Sequence, residues 1–396
     1  MQDGGYHDEQ PIPGPLRSPR RPRLAFGPES DVFSSALSLM LNHLGDRTAY
    51  HDIVGLSGRC FQVAFNERKF LFDKYGEHPD GDPDYYLRRD YASARRGVDA
   101  MGYSAAFLRN ASLRGPAVVG APVETETRPV SPAALRDAVV ASIRDARRPV
   151  IAQVNVTGTM WAPEWSVLTG FDEGGEVLIG WSCFQDFPQT KGVIEYEPGP
   201  DACFRLRDWH SSVVVIALLE GPQRDVDLPV LIRRALEGGV GDVRGFDRGQ
   251  EHFGLRAYDA WAAAIEDPET STLDDATAAG RLEYHSNLTG QIASQKHYTQ
   301  EWLRRLETRG WNVSSLLHAA ANCSKIHELA WDSWKIAGGY WRPRTAQAAR
   351  FRDPANRAGI AAIVRQMGEL DRATVGHLED VLAGWDKKHS YYLRSE

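Results

Sequence analysis

The stretch DVFSSALSLMLNHLG, residues 31–45, together with GLSG at 55–58, decides how the first half of the chain is read. Ser30 and Asp31 offer a helix cap. Val32, Ala36, Leu39, Met40 and Leu44 then recur at helical spacing, and Gly45 is the residue type on which helices commonly end. A largely buried helix is predicted. Downstream, His51 to Phe72 reads as a Gly-rich turn leading into an aromatic stretch. The polar run EHPDGDPD (77–84) reads as a surface loop, and Tyr85 to Met101 as a short helix.

Working outward, SPAALRDAVVASIRDARR (131–148) has Ser131 as cap and Pro132 at the first helical position, and it feeds the apolar strand PVIAQVNV (149–156). WSVLTGFD (165–172), a turn at Glu173-Gly174-Gly175, and EVLIGWS (176–182) form a predicted antiparallel hairpin. SSVVVIALLE (211–220) is a further, fully buried strand. From Leu228 onward the pattern is helical only, with GGVGDVRGFDRG (238–249) as linker-like sequence. The expected organisation is a flexible Pro/Arg-rich leader over 1–27, an α+β domain over 28–222 and an all-α helical bundle over 223–396.

Composition removes several classes of function. The chain has 396 residues, and 46 Lys+Arg against 53 Asp+Glu give a net charge of −7, which excludes a generally basic nucleic-acid binder. The longest strongly apolar run, Val213 to Leu219, is far short of the ~20 residues of a membrane span. No signal-peptide order stands at the N-terminus, so a cytoplasmic protein is expected. Cys60, Cys183, Cys203 and Cys323 are widely spaced and form no CxxC pair, which suggests neither a disulfide framework nor a zinc site. EGGVGDVRG lacks the Lys-Ser/Thr of a phosphate loop, and no cofactor is expected. Eleven tryptophans are the one oddity.

The order of the capped helix with GLSG, the helix leading into VIAQVNV, and the hairpin around VLTGFD ending in GWS resembles the papain-like domains of the bacteriocin-processing cysteine peptidases. It is closer still to the butirosin-type acyltransferase family, whose papain-like domain often precedes a helical one. The resemblance covers about residues 28–220. It implies a thiolate at the N-terminus of the first helix, where the helix dipole lowers its pKa, and a histidine on the hairpin strand to take the proton. By the family's spacing those positions fall on Val32 and on Trp165 or Glu164. An orienting residue is expected near Gly180 to Ser182, and no carboxylate stands there until Asp186. Peptidase chemistry is therefore not expected.

Two ways of using such a site are compatible with these residues. Ser34 or Ser35, with Glu164 and Asp31, form a rebuilt catalytic site; alternatively both serines satisfy helix-start amides. Cys60 or Cys183 is a substitute nucleophile, or a small buried hydrophobe. Replacing a Cys/His pair by Val and Trp makes the cleft apolar and aromatic, lined by Asp31, Val32, Phe33, Cys60, Trp161, Trp165, Trp181 and Cys183; in the alternative the tryptophans fill core volume. The expected function is a degenerate papain-like protein of specialised metabolism that holds a small organic or acyl-carrier-linked substrate. The alternatives are an acyltransferase or amide-forming enzyme and a peptide- or protein-binding module.

Elsewhere, His285, His297, His318 and His327 lack metal-ligand spacing and read as solvated or interhelical. Glu251-His252 reads as a charged linker turn. The aromatic helix HELAWDSWKIAGGYW (327–341) reads as bundle core, or as a surface that leaves room for a homo-oligomer.

Overall fold

The computed structural model describes residues 31–75, 93–112, 127–154, 164–182, 195–196, 203–207, 209, 213–222, 227–308, 311, 314–339 and 344–385. The leader 1–27, Ser30, the loop 77–84, Trp161, Cys183, Asp186 and Trp341 lie outside the described residues. In chain order the elements begin with α1 (Val32–His43), α2 (Tyr50–Leu56), β1 (Ala64–Asn66), α3 (Glu67–Phe70), α4 (Phe72–Tyr75) and α5 (93–100). There follow β2 (Tyr103–Asn110), β3 (Arg128–Val130), α6 (Pro132–Arg144), β4 (Val150–Val154), β5 (Glu164–Asp172), β6 (Val177–Ser182), β7 (Glu195–Tyr196), β8 (Phe204–Arg207) and β9 (Val213–Pro222). The remainder is α7 (Leu228–Arg244), β10 (Asp247–Arg248), β11 (Glu251–Phe253), α8 (Leu255–Glu266), α9 (Asp275–Thr308), α10 (Ser314–Ala337), α11 (Arg344–Arg352) and α12 (Pro354–Ala383).

The chain forms two compact units, Met1–Ile53 with Asp82–Val226, and Val54–Gly81 with Asp227–Glu396. The first is mixed α and β; the second, apart from one small sheet, is helical.

The first unit is built on a sheet of order β3-β2-β9-β4-β5-β6-β8-β7, antiparallel except where β2 meets β3. Alternation along each strand divides its side chains between two cores. Ile151, Trp165, Val167, Val215 and Ala217 pack with Phe33, Leu37 and Met40 of α1. Val150, Ala152, Val154, Leu168 and Ile216 pack with Leu135, Val139 and Ile143 of α6. β9 lies inside the sheet, which explains its unbroken apolar sequence. The β5–β6 hairpin turns where predicted: Gly174 and Gly175 take φ of 65° and 100°, and the buried Trp209 indole donates to the Gly175 carbonyl at 2.8 Å. Ser131 caps α6, its hydroxyl accepting from the Ala134 amide at 3.2 Å.

The second unit takes in Val54–Gly81, a segment that the sequence reading assigned to the α+β domain. β1 pairs antiparallel with β11, and Val63, Phe65, Phe70 and Leu71 enter the helical core beside Tyr258, Trp261, Ile292 and Met367. Nothing local in an aromatic run says which of two cores will receive it. GLSG also has its physical reason here. A Cβ on Gly55 would lie 2.2 Å from the Trp302 ring, and Gly58 has φ of 76°. The region after Leu228 is not helical throughout: of the stretch 238–249 read as linker, residues 238–244 continue α7 and 247–248 form β10, which pairs with β11 just beyond it. Runs of two or three residues are too short to show a strand period.

Candidate functional site

α1 packs against β4 and β5, and Phe33 near its N-terminus meets Trp165 of β5, the place where the resemblance puts its chemistry. Asp31 does not cap the helix amides. Its carboxylate accepts the Ser34 hydroxyl, and its own N–H donates to the Tyr50 hydroxyl at 3.0 Å. Ser34 is only 1% exposed, so the hydroxyl tied to Asp31 has no path to a substrate. Ser35 Oγ is buried and makes no hydrogen bond among the described residues. Val32 packs at the rim of the α1 core.

Trp165, 2% exposed, meets Phe33 edge to face with ring centres 4.9 Å apart. It is a core residue of the first unit and not a wall open to solvent, because the β5 alternation turns it inward onto α1. Gln153, its cross-strand partner, is buried on the same face, two residues from Ile151. Trp181 stands opposite Val167 on this face and is half-buried, which leaves part of its ring accessible. Glu164 pairs with Val154 through its backbone; its side chain lies outside the described residues. Val32 carries no nucleophilic atom and an indole accepts no proton, so this pair cannot run a thiolate–imidazolium reaction.

Cys60 is not part of this group. It belongs to the second unit, where burial pushes its thiol up to about 12 and the Thr299 hydroxyl donates to its carbonyl at 2.9 Å. Such a thiol is protonated at neutral pH and is not a nucleophile. The sequence-predicted residues that the structure brings together are thus Asp31, Val32, Phe33, Ser34, Ser35, Trp165 and Trp181.

Sequence reasoning missed a buried polar face in the second unit. Arg281, His285, Thr289, Lys296 and Thr299 of α9 are all fully buried. Lys296 Nζ donates to Asp371 Oδ1 at 2.6 Å, and the Tyr258 hydroxyl donates to Asp371 Oδ2 at 2.8 Å. Burial alone would lower the Lys296 pKa, but the Asp371 carboxylate outweighs it and holds the ammonium above its ordinary value. Cys323 nearby is pushed up to about 12 by burial. One end of the face is Arg281, which grips Asp73 through two bonds of 2.9 and 2.7 Å and reaches Thr270 at 2.7 Å. His285, with Ser333 Oγ at 3.4 Å, is lowered by burial to about 3. The signal in the sequence was the spacing of Arg281, His285, Thr289 and Lys296, which keeps them on one side of a helix. Charged residues in that pattern ordinarily mark the solvent side, and here they mark the inside.

Among the described residues no three His, Cys, Asp or Glu side chains gather to hold a metal, and no helix is long and apolar enough to cross a membrane. Compared with known proteins, the chain matches no family model and no curated protein.

Proposed function

We propose that the first unit is a papain-like module without covalent peptidase chemistry, and that it binds a small organic molecule or acyl group of specialised metabolism, free or on an acyl carrier. The observation that carries this reading is the contact between α1 and the start of β5. A papain-like site needs its nucleophile and its histidine on two such elements in contact, and here Val32 stands next to Phe33 while Trp165 closes on that ring at 4.9 Å. Binding can persist without the chemistry because aromatic surface such as the accessible part of Trp181 holds apolar and flat groups.

The test is a panel of acyl-pantetheine thioesters with and without amine acceptors, followed for both binding and turnover. Saturable binding without product is expected, weakened by Trp181→Ala and unchanged by Ser35→Ala. The second reading is an acyl-transferring enzyme, for which Ser35 would have to become accessible, since its hydroxyl is buried and no base is bonded to it among the described residues. Acceptor-dependent product that disappears in Ser35→Ala would establish that reading and overturn the first.

A further inference from the structure

Two pairs of histidines face each other across helices of the second unit. The rings of His297 on α9 and His327 on α10 have centres 5.4 Å apart with planes inclined at 46°. Those of His318 on α10 and His377 on α12 are 5.2 Å apart at 44°. The first pair is held differently. His327 Nδ1 lies 2.7 Å from the Ala293 carbonyl. A carbonyl can only accept, so Nδ1 carries the hydrogen, and Nε2 of the neutral ring carries the lone pair. Ala293 is one turn before His297 on α9, so this bond sets the His327 ring against the helix face that presents His297.

His297 is oriented as well. Its Nδ1 is 3.4 Å from Gln300 Nε2, and Gln300 is 6% exposed with an Oε1 that makes no hydrogen bond among the described residues. Half a turn of that amide places the carbonyl oxygen on Nδ1–H and leaves His297 Nε2 with the lone pair too.

We propose that His297 and His327 form a two-imidazole site for a borderline divalent ion of the zinc or nickel class, with water in the remaining positions. A tetrahedral ion ~2.0–2.1 Å from one nitrogen of each ring sets the ring centres about 5 Å apart, the spacing found here. Donation of the far ring N–H to a carbonyl is the usual way a protein fixes a ligating imidazole, and imidazole suits these ions. Glu301, one turn after His297, is paired with Arg304 at 3.8 Å, and the two charges act on His297 in opposite directions. Among the described residues His318 and His377 have no comparable orienting bond, so they serve as the internal control.

Titration of the chelator-stripped full chain with Zn²⁺ by calorimetry tests this. Tryptophan quenching by Ni²⁺ gives a second readout, since the Trp331 ring centre is 6.2 Å from that of His327. One zinc site is expected in the wild type, lost in His297→Ala and in His327→Ala, and retained in the His318→Ala/His377→Ala double variant. Gln300→Leu, which removes an orienting partner, is expected to weaken it about 10–100-fold. Trp331→Phe is expected to remove most of the nickel quench and leave zinc binding intact, which distinguishes local binding from a change in fold. Absence of zinc binding in the wild type, or affinity unchanged in both single histidine variants with a wild-type far-UV spectrum, would overturn the proposal.

Discussion

Lys296 and Asp371 are both fully buried, and the value of such a pair depends on which partner is removed. Two desolvated charges gain little net stability over apolar groups of the same shape, yet one of them left alone is costly. Asp371→Ala is expected to destabilise the second unit by about 3–5 kcal/mol in urea unfolding, whereas Lys296→Met with Asp371→Leu and Tyr258→Phe, which removes all three partners together, is expected to stay near wild type. A single variant as stable as wild type would contradict the pairing. His285 gives a prediction in pH. Its folded pKa of about 3 lies below the 6.5 of an exposed imidazole, so in that window the unfolded chain takes up a proton that the folded chain refuses. Stability is therefore full above pH 6.5 and falls as pH drops, by at most about 1.4 kcal/mol per pH unit from this residue. In His285→Leu the loss of stability between pH 7 and 4.5 is expected to be shallower; parallel profiles would show that His285 is not buried and neutral. None of these residues could be placed from the sequence, because a buried Lys or His looks like a solvated one until the partner on another helix is known. Trp165 misleads in the other direction: its aromatic ring suggests a wall, and its burial against Phe33 makes Trp165→Ala a test of stability.

Elements were more legible than residues. The β5–β6 hairpin, the capped α6 and the inner strand β9 lie where alternation, turn glycines and the Ser-Pro start place them, because each of those signals is local. Ser131→Ala removes the cap of α6 and is expected to cost about 0.5–2 kcal/mol, read as a shift in the denaturation midpoint. What the sequence concealed is long-range. Phe65 and Phe70 belong to an ordinary aromatic run, and only the pairing of β1 with β11 commits them to the helical core. GLSG reads as a turn, while the first of its glycines is there because the indole of Trp302 occupies the space of a Cβ. Gly55→Ala is expected to overpack that contact and destabilise by about 1–3 kcal/mol; no change in midpoint would mean that Trp302 can move aside.

At the scale of the whole molecule, the helical unit is discontinuous in sequence. A fragment beginning at Asp227 lacks Val63, Phe65, Phe70 and Leu71, which its core buries. Such a fragment is expected to melt at a lower temperature than the same unit in the full chain, or to fail to melt cooperatively, when followed by circular dichroism. A cooperative melt at the full-chain temperature would show that the segment is dispensable. The same discontinuity sets a schedule for synthesis. Residues 54–81 leave the ribosome roughly 300 residues before α12 is finished, an interval of about 15–60 s at usual elongation rates. Throughout it their aromatic side chains have no partner from the helices still to come, so the nascent chain is most open to chaperone capture and to aggregation while its first unit is being made.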